Sequence, residues 1–500
     1  MALLLFCFVL FLIMGMPIAF VIGIAGFAFF LTVPYLNYET ATQLIVSQSQ
    51  SFTFLAVPFF IFAGNLMNVS GITSRLLGLA RILTRRMYGG TAQISVVMST
   101  LMGGVSGSAT ADAAMETRIL GPEMLRLGYS KGYICAVNCV TALITATIPP
   151  SLGLIIFGFV GEVSIGRLFA AGLIPGVLMM TFLMATTSIT SRINRYDPPR
   201  QREALSVLSP ERAAKARRML FNGALASIVF SLVFAALPLF KVITVPAAGA
   251  IPTAAIGFFL AGLALILTRL LFRALPLIIQ EIIDNLTGSI WALLFPVILI
   301  VGIRFGVFTP SESGAFAVIY AVIIGKFVYR ELNWRNFKEA LLITLKDNGA
   351  IMLIIAMSGP FSYAITWVKL PVALSGLIFG ITSDPQALVL IMLGFLFITG
   401  MFVDSNVNFL LLTPIFLPMV KNAGIDPVHF GVLMATVVTL GVMTPPIGSA
   451  LYTVCGIIDC PVEDYTKHSL PFMVAVLLEI AILVFLPEAV LWIPDMVFGK

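Results

Sequence analysis

Residues 91–121 read TAQISVVMSTLMGGVSGSATADAAMETRILG, and residues 386–418 read QALVLIMLGFLFITGMFVDSNVNFLLLTPIFLP. Both stretches are apolar, yet neither reads as a single helix crossing a bilayer. Gly103-Gly104 and Gly107 interrupt the first; Gly400 and the polar string Asp404-Ser405-Asn406 interrupt the second. Each half is roughly 13–15 residues, short of the ~20 that a crossing helix needs. The spacing predicts two re-entrant helical hairpins, each entering and leaving on one side. Irregular backbone at that depth is tolerated where it lines a cavity inside the protein.

The rest of the chain agrees. Of 500 residues, 59 % are apolar and only 10 % are Asp, Glu, Lys or Arg, against about 25 % charged in a soluble domain. Such a chain cannot cover a water-facing surface of its size, which excludes a soluble enzyme, a nucleic-acid binder and a disordered chain. An all-α polytopic membrane protein remains. Further apolar runs predict spans at 3–32, 52–69, 129–161, 168–191, 219–240, 249–270, 285–304, 306–328, 347–368, 428–458 and 470–492, with interfacial helices at 70–88 and 329–346. The start, MALLLFCFVLFL, has no basic region and reads as a first span, not a signal peptide. Two His and five Cys (Cys7, Cys135, Cys139, Cys455, Cys460) show no metal-binding spacing. The Cys read as small buried hydrophobes.

Basic residues test the sidedness, because cytoplasmic loops collect Lys and Arg. With the N-terminus inside and both hairpins returning to their own side, 23 of the 29 basic residues fall inside and 6 outside. Reading 91–121 as a full span would move the basic cluster of 192–218 outside. The localisation expected is the inner membrane of a bacterium, with a cytoplasmic N-terminus and a periplasmic C-terminus.

The chain also resembles itself at an offset of 296. Gly104 aligns with Gly400, Thr117 with Thr413, Pro122 with Pro418, Gly128 with Gly424, and Pro149-Pro150 with Pro445-Pro446. The first hairpin opens from inside and the second from outside, so the copies are inverted. The expected organisation is a first repeat at 1–191 and a basic cytoplasmic connector at 192–218. Linking spans follow at 219–304, of which 219–271 looks inserted, and a second repeat at 305–500. Each repeat holds a hairpin (91–121, 386–418) and a helix broken at Pro-Pro (129–161, 428–458). Inverted repeats with broken helices point to a secondary transporter with its site near the midplane. A channel has less need of two distinct inverted hairpins.

The broken elements supply candidate ligands. Pro-Pro removes backbone donors and frees carbonyls, and carbonyl ends of helices suit a cation while amide ends suit a carboxylate. The tips offer hard oxygen ligands suited to Na⁺. The candidate Na⁺ set is Gly104, Ser106, Gly107, Thr147, Pro149, Gly400, Asp404, Thr444 and Pro445, partly through carbonyls. The candidate substrate set is Ser106, Ser108, Thr110, Ser151, Asp404, Ser405 and Asn406. Ser, Thr and Asn of this kind also cap helix starts. Asp404 is a functional candidate because a carboxylate at bilayer depth is costly. Asp112 and Glu312 qualify less, and Lys369 reads as an interfacial side chain.

Five strings in order, GGVSGSATADAA (103–114), ATIPPSLGLIIFG (146–158), GVFTPSESGAFAVIYAVIIGKFVY (306–329), GMFVDSNVNFLLLTPIFLP (400–418) and GVMTPPIGSAL (441–451), resemble the large membrane subunit of tripartite ATP-independent periplasmic (TRAP) transporters. The resemblance implies import of a small organic anion, such as a C4-dicarboxylate or sialic acid, coupled to Na⁺. It implies an elevator mechanism, an extracytoplasmic substrate-binding protein and a small four-span membrane subunit, here expected as a separate chain. No organic cofactor is implied. Two other readings are weighed. One is a Na⁺- or H⁺-coupled elevator carboxylate transporter that works without a binding protein. The other is a rhomboid-like serine protease using Ser106, for which only His429 and His468 could serve as base.

Overall fold

The computed structural model describes residues 2–197 and 277–499, apart from 34–35, 51–54, 86, 371, 374–375, 377–379, 381, 383 and 447. Most of the connector expected at 192–218 and the spans expected at 219–240 and 249–270 lie outside the described residues. Within them the fold is all helical, with no strand. Among the described residues, five helices are long and apolar enough to cross a bilayer, and two further pairs pass that test only as bent units.

The N-terminal run is α1 (Ala2–Ile13) and α2 (Ile18–Thr32), not one span at 3–32. Gly15 turns at φ +74 and Pro17 has no backbone N–H, so the helix cannot continue through them. α1 folds back on α2: Leu4 shares a core with Phe29 and Phe30. A 12-residue amphipathic helix, α3 (Tyr38–Ser49), follows. α4 (Ala56–Val69) and α5 (Ile72–Thr84) meet at 67° about Gly71.

The first hairpin is α6 (Gly90–Gly103) and α7 (Ala109–Arg126). The first broken helix runs α8 (Lys131–Thr141), α9 (Leu143–Thr147), then the cis Pro149-Pro150 break, then α10 (Leu152–Val160), with a 43° bend. α11 (Ile165–Ile193) closes this repeat. α12 (Leu277–Arg304) leads to α13 (Pro310–Ile323), which ends in a π-turn at Ile324–Val328. The interfacial segment 329–346 and the span 347–368 are one 34-residue helix, α14 (Trp334–Trp367). At 1.5 Å per residue it is roughly 51 Å long, and Asn333 caps its start. Lys346 and Asp347, the polar pair that suggests a boundary, sit within it without breaking the ladder.

The second hairpin is α15 (Pro385–Phe402) and α16 (Ser405–Asn422); each arm is 18 residues, longer than the roughly 13–15 expected, because α15 runs helically through Gly400 and breaks only at Val403, before the Asp404 cap. The second broken helix is α17 (Pro427–Val442) and α18 (Ser449–Ile458), separated by the cis Pro445-Pro446. The last expected span, 470–492, is instead α19 (Val462–Phe485) followed by a separate α20 (Pro487–Phe498). Pro487 ends the first of these, since it cannot donate to the ladder. α7 and α16 are offset by 405 − 109 = 296 at their starts and 422 − 126 = 296 at their ends, the same offset as the sequence repeat.

The two repeats interlock. The first arm of each hairpin lies on the first half of its own broken helix. A Cβ on Gly103 would stand 2.8 Å from Ile148 Cβ, and one on Gly400 would stand 2.6 Å from Val438 O. The second arm lies on the short half belonging to the other repeat. A Cβ on Gly153 of α10 would stand 2.5 Å from the Phe409 ring of α16, and Gly121 of α7 faces Ile458 of α18. Small residues at these crossings let backbones approach closely, where packing rather than a hydrophobic drive holds helices in lipid. Helices α2, α3, α4, α13 and α14 pack mainly on one another beside this interlocked body.

Candidate functional site

A cavity of about 440 Å³ opens where the two hairpin tips meet α4 and α14. The first tip contributes Ser106, Gly107, Ser108 and Thr110; the second contributes Asp404, Ser405 and Asn406. Ser151, just past the first Pro-Pro break, and Thr439 and Thr453, on either side of the second, also line it. All seven residues of the expected substrate set therefore lie on one cavity, although they come from three separate parts of the chain.

Each tip is shaped by its local sequence. The first turns through Gly107 at φ +64, where a Cβ would also run into Pro150 O. Leu152 N donates to Gly107 O at 3.4 Å, so the tip is seated on the break itself. Ser106 Oγ donates to Asp112 Oδ2 at 2.6 Å. One turn further along α7, Glu116 accepts from Ser95 Oγ at 2.6 Å and from Ser99 Oγ at 2.8 Å. Asp112 and Glu116 are both buried. In the second tip, Asp404 is the N-cap of α16, its Oδ1 accepting from Asn406 N at 2.9 Å. Its carboxylate thus satisfies a helix start while facing the cavity. Asn408 Nδ2 donates to Val403 O at 2.9 Å and ties the turn down.

The expected Na⁺ set is divided. Ser106, Gly107 and Asp404 line the cavity. The other members sit behind the tips. A Cβ on Gly104 would meet Pro296 of α12, and Gly400 lies against Gly441. Thr147 Oγ1 donates to Leu143 O at 3.3 Å, and Thr444 Oγ1 donates to Leu440 O at 2.7 Å. Thr444 N donates to Gly441 O at 2.9 Å, so that Gly400, Gly441, Thr444 and Pro445 form one neighbourhood. Gly107 and the Ile148–Ser151 break, which contains Pro149, form the other, with Thr147 at its edge. Each neighbourhood gathers backbone carbonyls beside a Pro-Pro break, Pro150 O next to Gly107 in one and Val438 O next to Gly400 in the other.

Five polar residues on the cavity were not singled out from the sequence: Asn65 and Asn68 of α4, Asp347 of α14, and Thr439 and Thr453 on either side of the second break. Asn65 Nδ2 donates to Thr344 Oγ1 at 2.9 Å, joining α4 and α14 at the cavity wall. The signal was present, as two Asn within an apolar run and an acid at the start of another. Lys369 and Glu312 are not among the lining residues. Glu312 instead closes a capping box with Thr309 at the start of α13.

Neither histidine faces Ser106. His429 Nε2 lies 2.9 Å from Leu483 O, and His468 lies 3.3 Å from Ser130 Oγ through one ring nitrogen and 2.8 Å from Asp464 O through the other. Ser106 is bonded to a carboxylate instead, which does not make the Ser–His pair of a serine hydrolase.

Among solved structures, the crystal structure of the Alcanivorax borkumensis YdaH transporter is similar in fold, with a TM-score of 0.55 over 89 % of this chain and 87 % of that one, at 14 % identity. The chain is 30 % identical over 96 % of its length to a putative TRAP transporter large permease protein of Haemophilus influenzae, covering 95 % of that protein. It is 28 % identical over 95 % of its length to the 2,3-diketo-L-gulonate TRAP transporter large permease protein of Escherichia coli, covering 95 % of it. It is 28 % identical over 97 % to the sialic acid TRAP transporter large permease protein of Vibrio cholerae, covering 96 % of it. The model of the family described as the tripartite ATP-independent periplasmic transporter, DctM component, matches residues 5–489. The chain therefore belongs to the DctM family and is a large, multi-pass membrane permease subunit of a TRAP transporter.

Proposed function

We propose that this subunit imports a small organic acid by Na⁺ symport, with the hairpins and broken helices moving as one body against α2, α3, α4, α13 and α14. The observation that carries the reading is the cavity on the seam between these two groups of helices. It is lined by both hairpin tips on one side and by Asn65, Asn68 and Asp347 on the other. Hydroxyls and the amide starts of α7, α10 and α16 converge there and suit a carboxylate. The two carbonyl-rich neighbourhoods behind the tips suit Na⁺. Two relatives whose names state a substrate carry sugar acids, 2,3-diketo-L-gulonate and sialic acid, which supports an anionic cargo of that size.

The reading includes an extracytoplasmic binding protein, a small membrane subunit and residence in the bacterial inner membrane. The distribution of basic residues puts Arg75, Arg81 and Lys131 in the cytoplasm and the Arg167–Asp495 pair, at 2.7 Å, on the outer side with the C-terminus. Because α1 folds back on α2, the start of α1 lies at the same end as the close of α2.

Uptake into proteoliposomes holding this chain, its small subunit and its binding protein is the test. Uptake should need an inward Na⁺ gradient and the binding protein. Uptake unchanged without the gradient removes the Na⁺ coupling. Uptake unchanged without the binding protein favours the carrier that works alone.

A further inference from the structure

Cys135, Cys455 and Cys460 are 320 residues apart in sequence at the first step (455 − 135), yet their three Sγ atoms all lie within 4.8 Å of one another. All three are buried, and all are free thiols. Cys135 projects from α8 of the first repeat. Cys455 sits in the last turn of α18 of the second, and Cys460 just follows it. The turn that brings the latter two together is built into the helix end. Asp459 adopts φ +50 and Cys460 N donates to Cys455 O at 2.9 Å.

We propose that these three thiols bind a thiophilic cation of the Zn²⁺ class and so clip the first broken helix to the second. Zn–S bonds of about 2.3 Å place the sulfurs of one ion roughly 3.8–4.0 Å apart, so the observed triangle needs a contraction of under about 1 Å. The donors are all sulfur. That set selects soft ions and rejects Na⁺, Mg²⁺ and Ca²⁺, which take oxygen. Binding replaces three S–H protons, released to water, with three metal–sulfur bonds and leaves a net charge of −1. Lys131 lies close by to balance it, its Nζ 3.1 Å from the carbonyl of Asp459. Cys460 is 8 % exposed and Cys135 is fully covered, so the ion enters past Cys460. The fourth coordination position falls to water on that side. The site is separate from the transport cavity, whose lining contains no cysteine.

The experiment is a Cd²⁺ titration of the purified full chain in detergent, under a thiol-free phosphine reductant that keeps all cysteines reduced. The readout is the ultraviolet sulfur-to-cadmium charge-transfer band, with Zn²⁺ as competitor. One Cd²⁺ per chain should give the band, and Zn²⁺ should displace it. Cys460→Ala, at the rim, and Cys135→Ala should each weaken binding at least tenfold. Cys139→Ala, one turn from Cys135 but outside the triangle, should leave it unchanged. Thermal unfolding without metal checks that each variant is folded, and metal should raise the midpoint of the wild type but not of Cys460→Ala. A wild type with no band, or a band of equal affinity in folded Cys460→Ala, overturns the proposal.

Discussion

Ser106 Oγ donates to Asp112 Oδ2 across 2.6 Å, so the tip of the first hairpin is tied to its own second arm by a hydrogen bond to a carboxylate that is fully buried. The tip is held by this bond from within and by the Pro149-Pro150 break from below. Ser106 therefore positions the loop even if its oxygen also meets cargo.

Removing one partner of that bond should cost more than removing both. Ser106→Ala leaves a buried carboxylate short of a donor, at about 1–3 kcal/mol. The double variant Ser106→Ala/Asp112→Ala should lose less than the sum of the singles. Thermal midpoints of the four proteins in detergent measure the coupling, expected at roughly 0.5–3 kcal/mol. Strict additivity would show that the bond contributes nothing.

Asp404 caps α16 and also lines the cavity, and one substitution separates these roles. Asn is as good an N-cap as Asp, so Asp404→Asn should keep the stability of the protein while removing the charge. Asp404→Ala should lose the cap as well, at about 1 kcal/mol. Uptake should fall at least a hundredfold in both, with assembly intact. Near-normal uptake by Asp404→Asn would reduce this carboxylate to a cap.

Gly107→Ala places a Cβ where φ is +64 and where Pro150 O already stands. The tip must then move off the break. Uptake should drop more than tenfold with only a modest fall in thermal midpoint. A fully active variant would mean the tip need not be seated on Pro150.

Glu479 of α19 is buried, and neither carboxylate oxygen has a hydrogen-bond partner among the described residues. A buried acid without a partner is a cost that a well-packed apolar side chain avoids. Glu479→Met should be neutral or stabilising by up to a few kcal/mol, read as a thermal shift. A loss of more than about 2 kcal/mol would show that this carboxyl holds something in place.

The hairpins, the breaks and their shared offset were legible because Gly and Pro act on the backbone directly, and their positions can be read without knowing what packs where. Gly103-Gly104, Gly107 and the two Pro-Pro pairs mark the first tip and both breaks, while the second tip is marked by its polar string Asp404-Ser405-Asn406. Three things were not legible. The turn at Gly15–Pro17 was passed over because apolar sequence continues on both sides. The continuity of α14 through Lys346 and Asp347 depends on packing against α2, α3 and α4, which a local reading cannot see. The cysteine triangle is tertiary in origin, since no spacing relates residue 135 to 455. The same holds for Asn65 and Asp347, polar residues whose meaning comes from the cavity they share.

The exchange of short halves between repeats has a consequence for biosynthesis. α10 ends at Val160, and its packing partner α16 begins at Ser405, 405 − 160 = 245 residues later. At about 5–20 residues per second, the ribosome needs roughly 12–49 s to reach it. Through that interval the newborn first repeat holds a half-helix that packs on α4 and α11 but lacks its partner from the second repeat. It must be sheltered by the insertion machinery or by a provisional partner in its own chain. Neither repeat can mature alone, and the ordering of the whole core waits on the last third of the polypeptide.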